Sequence, residues 1–361
     1  MDNSFQIVIL RRGLKFAFFV VHFFGLWPFR FVHQNSQIKY SFIKAIHSIC
    51  LLFGGIIVYQ VIGAMTFDGG NKAFFGSYTL RYVLLIYAQS VLLSFVFAYL
   101  GLHWFAKEIE NAYIKWMDLV NEMGDCLYNF DLSGYIWEFV LRTIVVEIIQ
   151  GIGSYTYMTN SESTTELIAT RPYLVFFLQL PPYVARLQMN IFYGVVVAIH
   201  LFTRIVNFRL TNIVAEATET ARYKHIQMCN YCHCSDELDR LSTLYLKLAQ
   251  ATKSMNSIFS IPIVLWSTTI IVTLTVQLLN QVISVIELTL HLSKNALIFN
   301  VYGCLAIILS TFDQLSISNA CQRINNSTSK ASSILHSMKI SRDVDLRLRK
   351  SVCQYALNVN N

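Results

Sequence analysis

Long runs of apolar residues dominate this chain and restrict what it can fold into. Helix is the secondary structure that suits such runs in lipid, because each backbone group must be satisfied within its own segment. The sequence therefore predicts an all-α polytopic transmembrane helix bundle with about six spans. A spanning helix needs about 20 mostly apolar residues, and six stretches supply them, of which the third is less apolar and the fourth is too long for a simple span: Ser41–Phe67, Tyr78–Phe105, Ile136–Met158, Tyr173–Phe208, Ile258–Glu287 and Asn295–Ile317.

The composition agrees with a membrane protein and excludes several other classes. The 361 residues are 55% hydrophobic and 14% charged, whereas soluble domains carry roughly 25% charged residues. A soluble fold would lack the polar side chains needed to cover its surface. Disordered, coiled-coil and collagen-like chains are excluded by the same composition. The net charge of +7 mainly reports orientation in a membrane protein, so no nucleic-acid partner is expected.

The distribution of Lys and Arg predicts a cytoplasmic N-terminus. Basic residues gather before the first span, between the fourth and fifth spans and after the sixth. The opposite loops carry little beyond Lys72, Arg171 and Lys294. Loops rich in Lys and Arg stay in the cytoplasm, so with six spans the C-terminus is expected there as well.

These spans divide the chain into three parts. Residues 1–40 form a cytoplasmic segment, 41–317 form the transmembrane bundle, and 318–361 form a cytoplasmic C-terminal segment. Within the bundle, apolar residues of the long cytoplasmic loop 207–256 recur at helical spacing, which indicates helices that extend the fourth and fifth spans. Within the first segment, the apolar stretch Phe16–Phe31 is interpreted as a helix on the inner membrane surface, with a short extra span as the alternative.

Motifs of enzyme chemistry are absent, so neither an enzyme nor a bound cofactor is expected. No P-loop, HExxH or GxSxG string occurs, and Gly151-Ile152-Gly153 lacks the third glycine of a dinucleotide site. The segment Cys229–Cys234 contains the CxxCH string of haem attachment, and His225 lies one turn earlier. Haem attachment is not expected in a cytoplasmic loop, and zinc would need a second ligand pair. Reduced thiols without a metal are the preferred interpretation.

Polar and aromatic side chains recur at helical spacing on five spans, and they share a depth in the outer half of the membrane. Such residues usually face the bundle interior or a water-filled cavity. Hydrogen bonds between helices are one explanation. The shared depth favours a cavity open to the outside that takes a neutral polar or amphipathic small molecule. The candidate ligand-binding residues are Tyr78, Tyr82 and Gln89 on the second span, Glu147, Gln150 and Ser154 on the third, Phe176 and Gln179 on the fourth, Gln277, Asn280 and Gln281 on the fifth, and Phe299 and Tyr302 on the sixth.

Two features of the third and fourth spans leave alternatives open. Glu147, an acid near mid-membrane, either binds a cationic group or is protonated and satisfied by Gln150 and its neighbours. Pro181-Pro182 is expected to kink the fourth span, with a gating hinge as the sharper alternative. Arg186 follows closely and should face inward, because a lipid-facing charge would be expensive.

Several segments resemble the insect gustatory receptors of the seven-transmembrane insect chemoreceptor superfamily. They are Phe24-Gly25-Leu26-Trp27-Pro28-Phe29, the exit of the fourth span at Arg204–Asn212, and the sixth span with Cys321 and Ser332–Leu335 after it. The resemblance covers nearly the whole chain. It implies a gustatory receptor subunit that binds a small-molecule tastant in the outer half of the bundle and contributes to a ligand-gated cation channel.

The same resemblance implies surroundings and competing functions. Gustatory receptors form homo- or hetero-tetramers with other subunits in the plasma membrane of sensory neurons, in contact with membrane lipids. Odorant receptors share the architecture, so an odorant receptor subunit is an alternative. A secondary transporter is less favoured, because such proteins usually show internal repeats and none is found here.

The sequence departs from the family pattern after the sixth span. In the family a seventh helix with a Thr-Tyr…Gln signature lines the pore, but no apolar run of spanning length follows Ile317. Leu346–Asn361 is a basic amphipathic segment that resembles what precedes the pore helix in relatives. Either the sequence record stops early, which we favour, or the chain is a truncated, non-conducting accessory subunit.

Overall fold

The structure, a computed structural model, is built almost entirely of helices. It describes residues 19–32, 37–69, 78–127, 132–159, 173–218, 224–290, 294–337 and 346–360. These residues hold nine α-helices: α1 Phe42–Gly69, α2 Tyr78–Trp104, α3 Ala106–Leu127, α4 Ser133–Val140, α5 Val146–Thr159, α6 Tyr173–Thr218, α7 Lys224–Leu290, α8 Lys294–Ser337 and α9 Leu346–Asn360. A π-helical segment, Leu141–Val145, joins α4 to α5. The predicted all-α polytopic helix bundle is confirmed.

Five helices within the described residues are long and apolar enough to cross a membrane. The qualifying segments are Phe42–Val61 in α1, Leu85–Trp104 in α2, Gln179–Ala217 in α6, Met228–Leu279 in α7 and Gly303–Ala331 in α8. The third predicted span, Ile136–Met158, is not among them. In this stretch the π segment lies between α-helical pieces of 8 and 14 residues.

Helices α6 and α7 continue well beyond a single span. Helix α6 runs without a break through Pro181 and Pro182, so the two prolines do not divide the fourth span. Helix α6 extends to Thr218 and α7 begins at Lys224. The helical character predicted for much of the segment 207–256 is therefore confirmed. The residues whose spacing indicated a helix there are buried: Leu238, Leu241, Tyr245 and Leu248.

The chain separates into two compact units. The first combines Met1–Glu110, Ile136–Phe192 and Ile258–Ile317, and the second combines Asn111–Tyr135, Tyr193–Ser257 and Ser318–Asn361. Helices α6, α7 and α8 contribute residues to both units.

Two short strands in the first unit correct the prediction for the N-terminal segment. Strand β1, Phe29–Val32, pairs antiparallel with β2, Gln37–Tyr40, where Phe16–Phe31 was expected to be one surface helix. Residues 19–23 are helical, and Gly25 then adopts a φ of 66°, which glycine reaches at little steric cost. Pro28 has no N–H to continue a helix. The predicted helix is therefore wrong beyond residue 23.

The apolar core of the first unit centres on α2. Phe95 and Tyr99 are fully buried there, and they pack with Leu180 of α6. The Tyr99 hydroxyl donates a hydrogen bond to the carbonyl oxygen of Phe24 at 2.6 Å. This bond ties the turn that precedes β1 to the core.

The second unit packs five helices around one apolar core. Its most deeply buried members include one residue from each helix: Leu119 of α3, Leu210 of α6, Leu238 of α7, Ala331 of α8 and Tyr355 of α9. Polar side chains support the packing, since the Ser235 and Ser351 hydroxyl oxygens lie 3.0 Å apart and join α7 to α9.

The C-terminal helix α9 is amphipathic, as its sequence predicts. Leu348, Val352 and Tyr355 are buried in the core of the second unit, whereas Arg349 and Lys350 are exposed. Burial raises the pKa of the Tyr355 hydroxyl, and the neighbouring Tyr245 raises it further. The apolar face of α9 therefore contributes to folding of this unit.

Candidate ligand site

The polar stripe predicted on the fifth span lies on α7, on the side turned away from the surface of the first unit. The side chains of Thr273, Gln277 and Gln281 are half-buried. The neighbouring Leu278 and Val282 are 55% and 58% exposed. In a membrane helix an exposed apolar face suits lipid, and a polar face suits the bundle interior. The amides of α7 are therefore presented to the inside of the unit.

Gln277 has a side-chain acceptor that is not satisfied within the described residues. Its side-chain oxygen Oε1 is buried and has no hydrogen-bond partner within those parts of the chain. A buried acceptor left in this state costs about 1–3 kcal/mol. Buried polar atoms in native proteins are nearly always satisfied by protein, water or a ligand. Gln277 Oε1 is thus a buried acceptor that is left without a donor within the described residues.

Gln281 lies one turn further along the same face, against α8. A Cβ atom added to Gly303 of α8 would collide with the Gln281 amide nitrogen Nε2. Glycine at this position therefore leaves the space that the amide occupies. This contact places the Gln281 side chain between its own helix, α7, and α8.

Glu147 and Gln150, predicted on the third span, both meet Arg186 of α6. Arg186 Nη1 donates a hydrogen bond to Gln150 Oε1, and Arg186 Nε lies 3.7 Å from Glu147 Oε2. Asn190 Nδ2 donates to Glu147 Oε1 at 2.9 Å. Arg186 faces inward as predicted, and it is a cation of the chain itself that lies beside Glu147.

A second ion pair connects the π segment to α8. Arg142 lies in that segment and is 2% exposed. Its Nη2 lies 3.4 Å from Asp313 Oδ1, and its Nη1 donates to Asn190 Oδ1 at 2.7 Å. A π segment places one extra residue in a helical turn. Such a segment re-aims the side chains around it, and here it holds the arginine that pairs with Asp313 of α8.

Asn190 joins the two pairs into one arrangement. Its amide nitrogen donates to Glu147 while its amide oxygen accepts from Arg142. We call Arg142, Glu147, Arg186 and Asp313 the four-charge network. Two guanidinium groups face two carboxylates, so the formal charges sum to zero. Buried ion pairs with supporting hydrogen bonds are costly to break, because removal of one partner leaves the other uncompensated.

The predicted ligand-binding residues did not include Arg142, Asn190 or Asp313. The pairing of Arg142 and Asp313 could have been considered from the sequence, because ionisable groups inside predicted spans usually pair with one another. Arg142 in the third span and Asp313 in the sixth have opposite signs. Asn190 follows Arg186 by four residues and so shares its helix face.

The other candidate ligand-binding residues are distributed along the first unit. Gln179 is half-buried on α6, whereas Gln89 is exposed on α2 and belongs neither to the α7 stripe nor to the four-charge network. The remaining candidates have side chains outside the described residues: Tyr78, Tyr82, Ser154, Phe176, Asn280, Phe299 and Tyr302.

The cysteine-rich segment lies within α7 of the second unit. Cys229 is exposed and Cys234 is buried. These two thiols therefore have different environments, and the reduced, metal-free state of the segment stays a prediction.

Comparison with known proteins identifies the family. The model of the 7tm chemosensory receptor family matches residues 14–361, which include every helix described above. No curated protein matches the chain. The family consists of receptors rather than enzymes. The chain belongs to the 7tm chemosensory receptor family.

Proposed function

We propose that this chemosensory receptor is a gustatory receptor subunit that binds a small-molecule tastant in the outer half of its bundle. We also propose that it contributes to a ligand-gated cation channel, as the resemblance of its sequence to gustatory receptors implies. The buried Gln277 amide oxygen, which lacks a partner within the described residues, is the observation that carries the ligand site. Membership of the family supports the chemoreceptor role.

The chemistry of the proposed site favours an uncharged ligand. Gln277 offers an acceptor, and each glutamine amide can donate as well as accept. The four charges nearest to mid-membrane, those of the four-charge network, are paired with each other. A neutral molecule with hydroxyl or amide donors would satisfy Gln277 without adding a buried charge.

The proposal includes an assembly and a location. We propose a homo- or hetero-tetramer with other gustatory receptor subunits in the plasma membrane of sensory neurons. The N-terminus would lie in the cytoplasm, in agreement with the Lys and Arg of the loops.

Replacement of Gln277 or Gln281 with leucine tests the ligand site. In cells that express the receptor and respond to a tastant panel, each change should raise the half-maximal ligand concentration about threefold to tenfold. That range corresponds to one lost hydrogen bond worth about 0.5–1.5 kcal/mol. Ligand-evoked cation current measures the response, and labelling of surface receptor shows that expression is intact.

Thr275→Val is the matched control on the same helix. Thr275 is exposed, and its hydroxyl donates to the Ile271 carbonyl of its own helix, so its replacement should leave sensitivity unchanged. Unaltered dose–response curves in both glutamine variants would refute the ligand site. A response that appears only with an odorant co-receptor would favour an odorant receptor subunit instead.

A further inference from the structure

An apolar cavity of about 280 Å³ lies in the first unit, apart from the glutamines of α7 and from the four-charge network. It is lined by Phe19, His22, Phe23, Phe24, His47, Leu51 and Leu180. Five of these seven side chains are apolar. The volume is close to the lower end of small-molecule pockets, about 300 Å³.

One wall of the cavity is open to the surroundings of the protein. Phe19 and Phe23 are 65% and 55% exposed, and their ring centroids are 6.4 Å apart in a stacked arrangement. The first residues of α1 are also apolar and exposed, with Phe42 at 75% and Ile43 at 80%. Since α1 is of spanning length, these side chains suit contact with lipid rather than water.

Basic groups gather beside the apolar wall. His22 and His47 line the cavity, and both are exposed. Lys44 lies one turn before His47, and its Nζ donates to the Phe29 carbonyl at 2.7 Å. An ammonium group has three donors, so this bond leaves Lys44 with donors to spare.

The electrostatics of the cluster favour an anion. Burial lowers the pKa of His22, and the positive charges of Lys44 and His47 lower it further. Both charged neighbours that act on His22 are therefore cations. A negatively charged group placed among the three would relieve this repulsion and stabilise the protonated forms of His22 and Lys44.

We propose that this cavity binds an anionic phospholipid, with an acyl chain along Phe19, Phe23 and Leu51. The phosphate would lie among His22, Lys44 and His47. The combination of surfaces favours this occupant: a neutral lipid would leave the Lys44 ammonium group without an anionic partner, and a soluble anion would not cover the aromatic wall. Basic groups near a membrane surface attract anionic lipid headgroups.

Lipid titration of the purified full chain tests the proposal. Thermal unfolding in a zwitterionic detergent is followed while phosphatidylserine or phosphatidylcholine is added. Phosphatidylserine should raise the unfolding temperature at lower concentration than phosphatidylcholine. The double change Lys44→Gln with His47→Gln should weaken the apparent affinity for phosphatidylserine at least fivefold, and it should leave the phosphatidylcholine effect unchanged.

Lys115→Gln is the control for this titration, and three outcomes would contradict the proposal. Lys115→Gln removes an exposed lysine of the second unit that donates to Ser254 Oγ, and it should not alter the lipid response. Equal stabilisation by both lipids, or an unchanged phosphatidylserine response in the double variant, would overturn the proposal. Equal stabilisation by glycerophosphoserine, which has no acyl chain, would assign the cluster to a soluble anion and also overturn it.

Discussion

Replacement of Arg142 with leucine is expected to destabilise the receptor by about 3–5 kcal/mol, the usual cost of removing one partner from a buried ion pair. The Asp313 side chain is 7% exposed, and its carboxylate lies 3.4 Å from the Arg142 guanidinium. The change leaves this buried carboxylate without that partner. The Asn190 amide oxygen would lose its donor as well. Asp313→Leu should have a comparable effect, since it leaves Arg142 buried beside no carboxylate of α8.

The double variant separates a paired interaction from two independent defects. Arg142→Leu combined with Asp313→Leu removes both charges, and replacement of a whole buried pair by apolar residues is often nearly neutral. Its unfolding temperature in detergent should therefore exceed that of either single variant. Arg240→Leu serves as the control, because Arg240 is exposed and pairs with Glu237 on the surface of α7, where such pairs contribute little. A double variant as unstable as the two single effects added together would show that the charges are not coupled.

Alanine at Gly55 is expected to destabilise the packing of α1 against α2, although alanine normally favours a helix. A Cβ at this position would lie 2.6 Å from Cζ and 2.9 Å from Cε1 of Phe95, and 3.4 Å from Cδ2 of Leu180. Phe95 is fully buried and has no space into which to withdraw. Overpacking of a well-filled core costs about 1–3 kcal/mol. A lower unfolding temperature and reduced surface expression are the expected results.

The adjacent glycine provides a matched control for this change. A Cβ at Gly54 would meet nothing within 4 Å, so Gly54→Ala should be neutral or slightly stabilising through helix propensity. Phe95→Leu shortens the side chain that opposes Gly55, and it should restore part of the stability lost in Gly55→Ala. Equal behaviour of the two glycine variants would contradict the close packing.

The long helices were predictable because a membrane span leaves a plain mark on sequence. The apolar runs Ser41–Phe67, Tyr78–Phe105 and Tyr173–Phe208 overlap the helices α1, α2 and α6 over almost their whole length. Each run must satisfy its backbone internally, so length and apolar character determine the structure. The amphipathic spacing in α7 and α9 was equally informative, because apolar residues that recur at the helical period indicate that one face of the helix is buried.

Pairings across the bundle were not predictable in the same way. Charged residues in separate spans indicate that some partner exists, but sequence distance does not say which one, and Arg142 reaches Asp313 across 170 intervening residues. The π segment that aims Arg142 has no local sequence mark that we recognised. The strands β1 and β2 have four residues each, which is too short for a periodicity to stand out beside the apolar stretch that contains them.

The balance of two guanidinium groups and two carboxylates also limits what the four-charge network itself contributes to the response to a transmembrane voltage. Moving one elementary charge through the full membrane field involves about 2.3 kcal/mol for each 100 mV. Arg142, Glu147, Arg186 and Asp313 carry no net formal charge between them. A rearrangement that displaces the four groups together therefore does no net electrical work, and resting potential neither favours nor opposes it.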